Sequence, residues 1–133
     1  MQATCAIEKT LRYVAQNYME KISTDDLEYA SGVSRFALAR MFHKRFGVPP
    51  LRWVWMFRLA VAARLLVVRN CMSCGDVALA CGFETPAHFC RMFRASRGLS
   101  PGRYRQLRAH TARPSDVLSA VFQLNKNNES AYF

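Results

Sequence analysis

The chain has 133 residues, of which 51% are hydrophobic, enough for one domain or two very small ones with a core. Lysine and arginine total 19 against 9 acids, a formal net charge of +10 at pH 7, so a polyanion is the expected partner, the alternatives on charge alone being an anionic membrane surface or a merely soluble basic protein. A membrane span is not expected, because Arg52, Arg58 and Arg64 interrupt the one long apolar run, nor is a secretion signal, because Met1 to Tyr13 is polar and mixed in charge.

In chain order, residues 4–20 place Ile7, Leu11, Val14, Ala15 and Tyr18 at helical spacing. Ser23 then opens an S-x-x-D capping pattern, which predicts a short helix from Thr24 to about Ser31. Gly32 breaks it, Ser34 caps a longer helix over Arg35 to Phe46, and Gly47 ends that one. A short helix, a tight turn and a longer helix make a helix-turn-helix. Pro50 starts a helix of about 20 residues to Arg69, on the order of 30 Å long. It reads as a buried helix whose basic side chains reach outward to water.

Asn70 to Ser73 breaks the long helix. Ser73 begins a second S-x-x-D and a short helix to Cys81, and Gly82 turns the chain. Thr85-Pro86 is a cap followed by proline at the first helical position, opening a helix to about Arg97 that Gly98 ends. Ser100-Pro101 starts a last helix to roughly His110. SDVLSAVFQL after Pro114 predicts a short helix against the body, and NKNNESAYF a frayed end. The fold class is therefore all-α, about seven helices, with two helix-turn-helix subdomains (1–49 and 71–113), a linker helix (50–70) and a C-terminal extension (114–133).

The two subdomains are copies. Ser23, Asp26, Ala30 and Gly32 recur 50 residues later as Ser73, Asp76, Ala80 and Gly82. Arg40, Met41, Phe42, Gly47, Pro50 and Trp53 recur 51 residues later as Arg91, Met92, Phe93, Gly98, Pro101 and Tyr104. The second copy thus carries one extra residue after Gly82. Two copies joined by a long helix predict two similar heads held apart.

Basic residues are concentrated where acids are missing. Residues 29–75 hold eight arginines and lysines, and residues 85–115 hold seven arginines, without one acid in either stretch. With 100° per residue, Leu38, Met41 and Phe42 form the buried side of the first long helix, and Phe36, Ala39, Arg40, His43 and Lys44 point away. On the second, Phe89, Met92 and Phe93 are buried, and Ala87, Cys90, Arg91, Arg94 and Ala95 face out. Arginine bonds guanine O6 and N7 together, so Arg40 and Arg91 are the candidate base readers; the alternative is a solvated face or an ion pair with the preceding helix. Arg35, His43, Lys44, Arg94 and Arg97 suit phosphates or groove edges. Phe36 either touches a thymine methyl or packs on the preceding helix, and His88 lies at the edge of this face. The helix starts at Ser34 and Thr85 are candidate phosphate sites.

Other chemistries are poorly supplied. The five cysteines, Cys5, Cys71, Cys74, Cys81 and Cys90, are an odd number, which predicts reduced thiols in the cytosol. Cys71 and Cys74 form a CxxC with no second pair to close a zinc site, so no metal and no cofactor is expected; a redox role stays open beside a plain structural one. His43, His88 and His110 bear no relation to a nucleophile, and no phosphate-binding glycine loop is present, so an enzyme is not expected.

These residues resemble the AraC/XylS family of bacterial transcription regulators over nearly the whole chain. DVALACGFETPAHFCRMFRASRGLSPGRYR is similar to the family signature, with Gly82, Phe83, Phe89, Arg91, Phe93, Gly98, Pro101, Tyr104 and Arg105 in place. Leu38, Arg40, Phe42 and Gly47 fit in the first copy, as do Arg58, Ala62 and Leu65 in the linker. The resemblance implies a small stand-alone activator of the multiple-antibiotic-resistance or superoxide-response kind. Such a protein is cytoplasmic and nucleoid-associated, binds double-stranded DNA as a monomer, and sets its heads about one helical turn, or about 34 Å, apart on an asymmetric site. It also implies contact with RNA polymerase and control by protein amount. The alternatives are a repressor or architectural DNA binder of the same fold, or a partner-dependent regulator whose basic face docks an acidic protein. Glu28 departs from the family's small residue; it is expected either to loosen the helix packing or to repel phosphate.

Overall fold

The computed structural model describes residues 2–69 and 71–108, and among these it contains seven helices and no strand. They are α1 (Gln2–Asn17), α2 (Thr24–Ser31), α3 (Arg35–Phe46), α4 (Pro50–Val68), α5 (Cys74–Ala80), α6 (Pro86–Arg97) and α7 (Pro101–Arg108). Asn70, the predicted helix after Pro114 and the predicted frayed end lie outside the described residues. α1 begins and ends earlier than its periodicity suggests; at its C-terminal end the Glu20 N–H bonds the Asn17 carbonyl (3.0 Å) and turns the chain there.

The capping residues act as their spacing implies. The Ser23 hydroxyl accepts from the Asp26 N–H while the Asp26 carboxylate accepts from the Ser23 N–H, closing a capping box on α2. Ser34, Ser73 and Thr85 cap α3, α5 and α6.

α4 is the spine of the core. Ten of its 19 residues are buried, from Trp53 to Val67, and they point to every side, as expected of a helix packed all round. α1 covers α2 and α3, while α7 packs on α4 and α6. Each copy of the repeat builds the same aromatic joint. Phe42 of α3 meets Trp53 edge-on at 6.2 Å, and Phe93 of α6 meets Tyr104 edge-on at 5.2 Å. Trp53 and Tyr104 are repeat equivalents, so the shared pattern encodes how a helix-turn-helix seats its second helix on the helix that follows.

The long helix does not simply hold the heads apart. Arg52 and Arg64 reach solvent, but Arg58, which the sequence reading also sends outward, is only 4% exposed. Its Nε donates to the Tyr18 carbonyl (2.9 Å) and its Nη2 to the Glu20 carbonyl (2.7 Å). These carbonyls follow the C-terminus of α1, where a cation is favoured by the helix dipole. The same guanidinium lies against Gly82, in the turn between α5 and α6. A Cβ on Gly82 would sit well inside contact distance of the Tyr18 carbonyl oxygen and 2.9 Å from Arg58 Nε. The two heads therefore meet through the α1–α2 connection, Arg58 and Gly82. The extra residue of the second copy falls in this turn: its cap, Thr85, is three positions past Gly82, whereas Ser34 is two past Gly32.

Beside that joint, Cys81 is fully buried, and burial pushes its thiol up to about 12. At pH 7 this thiol is therefore protonated and a poor nucleophile. Alkylation of the native protein with iodoacetamide is expected to modify the exposed Cys5, Cys71 and Cys90 and to spare Cys81 until urea is added, as read by peptide mass spectrometry.

Candidate nucleic-acid interface

Both long second helices, α3 and α6, present one apolar side to the core and one basic side to solvent. On α3, Leu38 and Phe42 are buried and Met41 is half-buried; Phe36, Arg40, His43 and Lys44 are exposed, with Ala39 half-buried between them. On α6, Phe89 and Phe93 are buried; Ala87, Cys90, Arg91, Arg94 and Ala95 are exposed. The reason is the 3.6-residue period alone. Phe36 is 72% exposed, so it does not pack beneath the helix before it.

Arg40 and Arg91 stand at equivalent places on the two helices. Neither makes an ion pair within the described residues, where all the ion pairs are those of Arg35. Their guanidiniums are thus available as bidentate donors. Arg94 is exposed one turn from Cys90. Arg97 is half-buried and its Nε is shielded from solvent without a partner, so it is less open to a phosphate than the sequence reading has it.

His88 differs from its neighbours. It is half-buried, with its ring edge-on to Trp55 at 5.4 Å and to Phe83 at 5.9 Å. It joins α6 to the middle of α4 as well as bordering the basic face.

The start of α3 bears on two expectations. Arg35, read as a phosphate contact, has its side chain paired with Asp25 and Glu28 of α2. Glu28, expected either to loosen the packing or to repel phosphate, does not loosen it: its carboxylate joins α2 to α3. Its Oε2 accepts the Arg35 backbone N–H at 2.7 Å while Oε1 faces the Arg35 guanidinium at 3.5 Å. The first turn of α3 is already served by Ser34, on the Ala37 N–H, and by this carboxylate. It is therefore a poor phosphate site, because a second anion there meets a like charge. On α6 the Thr85 hydroxyl accepts from the His88 N–H, and proline supplies the first helical residue.

The Arg35 backbone N–H, and next the Arg35 side chain, hold the Glu28 carboxyl below its ordinary value of 4.5; the Ser23 backbone N–H and hydroxyl lower that of Asp26. A depressed folded pKa gives stability that is complete above the unfolded value and lost as pH falls through the folded one. The urea midpoint is expected to decline as pH drops below about 4.5, and Glu28→Gln to flatten part of that decline. An identical pH profile for the variant would remove the carboxylate from this role.

No described helix is long and apolar enough to cross a membrane. Residues 29–107 match the helix-turn-helix domain family. Among curated relatives, the transcriptional activator AarP of Providencia stuartii is 31% identical over 99 residues, 74% of this chain and 73% of AarP. YbfP of Bacillus subtilis, a helix-turn-helix-type transcriptional regulator, is 32% identical over 100 residues, 75% of this chain and 34% of that protein. Against YbfP and NphR, a transcriptional activator from Rhodococcus, the chain spans about a third of the relative's length. An AraC-type regulator from Chromobacterium violaceum superposes with a TM-score of 0.74 at 32% identity, covering 80% of this chain and 95% of that one. The DNA-binding domain of AdpA, solved with a target DNA, gives 0.71 at 28% identity, covering 79% and 95%.

Proposed function

The chain belongs to the AraC/XylS family of helix-turn-helix transcription regulators, and from that premise we propose that it activates transcription by placing α3 and α6 in successive major-groove segments of an asymmetric DNA site. In this reading it acts in the cytoplasm as a monomer, with RNA polymerase as its protein partner. The observation that carries it is the pair of exposed, unpaired arginines, Arg40 and Arg91, at one register position on both helices. Each is a base reader, able to grip one guanine edge with two parallel hydrogen bonds. His43, Lys44 and Arg94 bind phosphates and set the register, giving the salt dependence. Phe36, Ala39 and Ala87 offer apolar contact to thymine methyls, Thr85 borders the backbone, and His88 contributes from the edge. Arg35 adds less than its position suggests, being held by Asp25 and Glu28.

The test is selection of bound sequences from a random duplex pool at near-physiological salt. Two short boxes about one helical turn apart are expected. Arg40→Ala and Arg91→Ala are each expected to weaken the selected site by about 1–3 kcal/mol and to relax preference in one box only. A folded Arg91→Ala protein with unchanged specific affinity would falsify the role given to α6. Promoter activation then requires transcription by purified polymerase to rise with occupancy; a fall would mean repression.

A further inference from the structure

Between the two heads lies a groove whose floor carries a charge that the fold does not neutralise. Arg58 is 4% exposed, and its two hydrogen bonds go to neutral carbonyls, those of Tyr18 and Glu20. No carboxylate of the described residues forms an ion pair with it. Its Nη1 makes no hydrogen bond to the described residues, and its guanidinium lies 4.5 Å from the centre of the Trp55 ring. Arg58 and Trp55 line a groove of about 520 Å³, within the ~300–1,000 Å³ typical of small-molecule sites.

The walls above this cation are partly apolar. Met19, from the first head, and Leu79, from the second, are 56% and 57% exposed, large fractions for apolar side chains. Lys21 adds a second positive charge to the lining; Glu84 is the one acid there, and it pairs with neither Lys21 nor Arg58. A buried cation without a counter-ion is costly, and an arginine–carboxylate fork is among the stronger polar contacts. An anion therefore gains more in this groove than a neutral molecule of the same shape.

We propose that this groove is a binding site for a small organic carboxylate, its charged group paired with Arg58 and its ring or chain lying along Trp55 between Met19 and Leu79. The site is built from both heads, so its occupant favours one relative arrangement of α3 and α6. His88 lines the groove and borders the basic face, which gives a short path between the two. By linkage, a ligand that favours the DNA-competent arrangement binds more tightly to the DNA complex, and one that disfavours it more weakly.

Sodium benzoate and sodium octanoate serve as probes, titrated at constant ionic strength into the full ¹⁵N-labelled chain without DNA, with benzamide as the uncharged control. The outcome is therefore independent of the DNA reading above. Expected are saturable shifts of the Trp55 indole N–H and the Arg58 Nε–H, with benzoate at least about tenfold tighter than benzamide. Replacing Arg58 also removes the clamp between the heads, so the deciding variant is Leu79→Glu. That position is exposed, and the variant is expected to keep the native spectrum while weakening both carboxylates about tenfold. The proposal is overturned if neither carboxylate moves the groove signals, if benzamide binds equally well, if the shifts are confined to Arg40, Arg91 and Arg94, or if Leu79→Glu binds like the parent chain.

Discussion

Gly82→Ala is expected to lower stability by about 3–5 kcal/mol, against about 1–2 kcal/mol for Gly32→Ala. The two glycines are repeat equivalents and both hold left-handed backbone, with φ of +91° and +77°. Alanine suffers the same kind of backbone strain at either place. At Gly32 nothing lies within 4 Å of the added Cβ; at Gly82 it would meet the Tyr18 carbonyl and the Arg58 guanidinium. The carbonyl is backbone and cannot swing aside, so the α1–α2 connection has to shift and the Arg58 hydrogen bonds are lost with it. Small domains have only about 5–15 kcal/mol of stability in all, so this variant is expected to be close to unfolded at 37 °C. Urea titration followed by circular dichroism measures both. Equal losses would mean that the contact between heads contributes nothing beyond the backbone conformation.

Arg58→Met is expected to cost about 2–4 kcal/mol, with Arg58→Lys between it and the parent. Methionine keeps much of the side-chain packing but leaves the Tyr18 and Glu20 carbonyls without their donors. Lysine keeps the charge but cannot place two donors in a fixed fork. The more informative measurement is DNA binding at a temperature where the variant is still folded. Looser heads lose the gain from joint engagement, so affinity for a two-box site is expected to fall while affinity for one box holds. A parallel fall on both would assign Arg58 to stability alone.

Much of the molecule was legible along the chain. The capping serines, the glycines after α2 and α3 and the prolines opening α4, α6 and α7 mark helix ends within a few residues, because capping is a contact between near neighbours. The solvent side of α3 and α6 follows from a 3.6-residue period. The equivalence of Arg40 and Arg91 follows from the repeat. A partial signal for the Arg35 clasp was also present: an acid at Glu28, seven residues before Arg35, where the second copy has Ala78.

Composition and local pattern by themselves determined an all-α chain, two copies of a helix-turn-helix, a central helix and a basic face on each copy. Each of these depends on residues within a few turns of one another, or on a count. Only the tertiary structure decided that Arg58 turns inward, that Arg35 is held by α2, that His88 leans on Trp55 and that the heads meet at Gly82. Arg58 and its acceptors lie 40 and 38 positions apart. Periodicity places a side chain on one side of its own helix, but whether water or another helix waits there depends on how the helices pack.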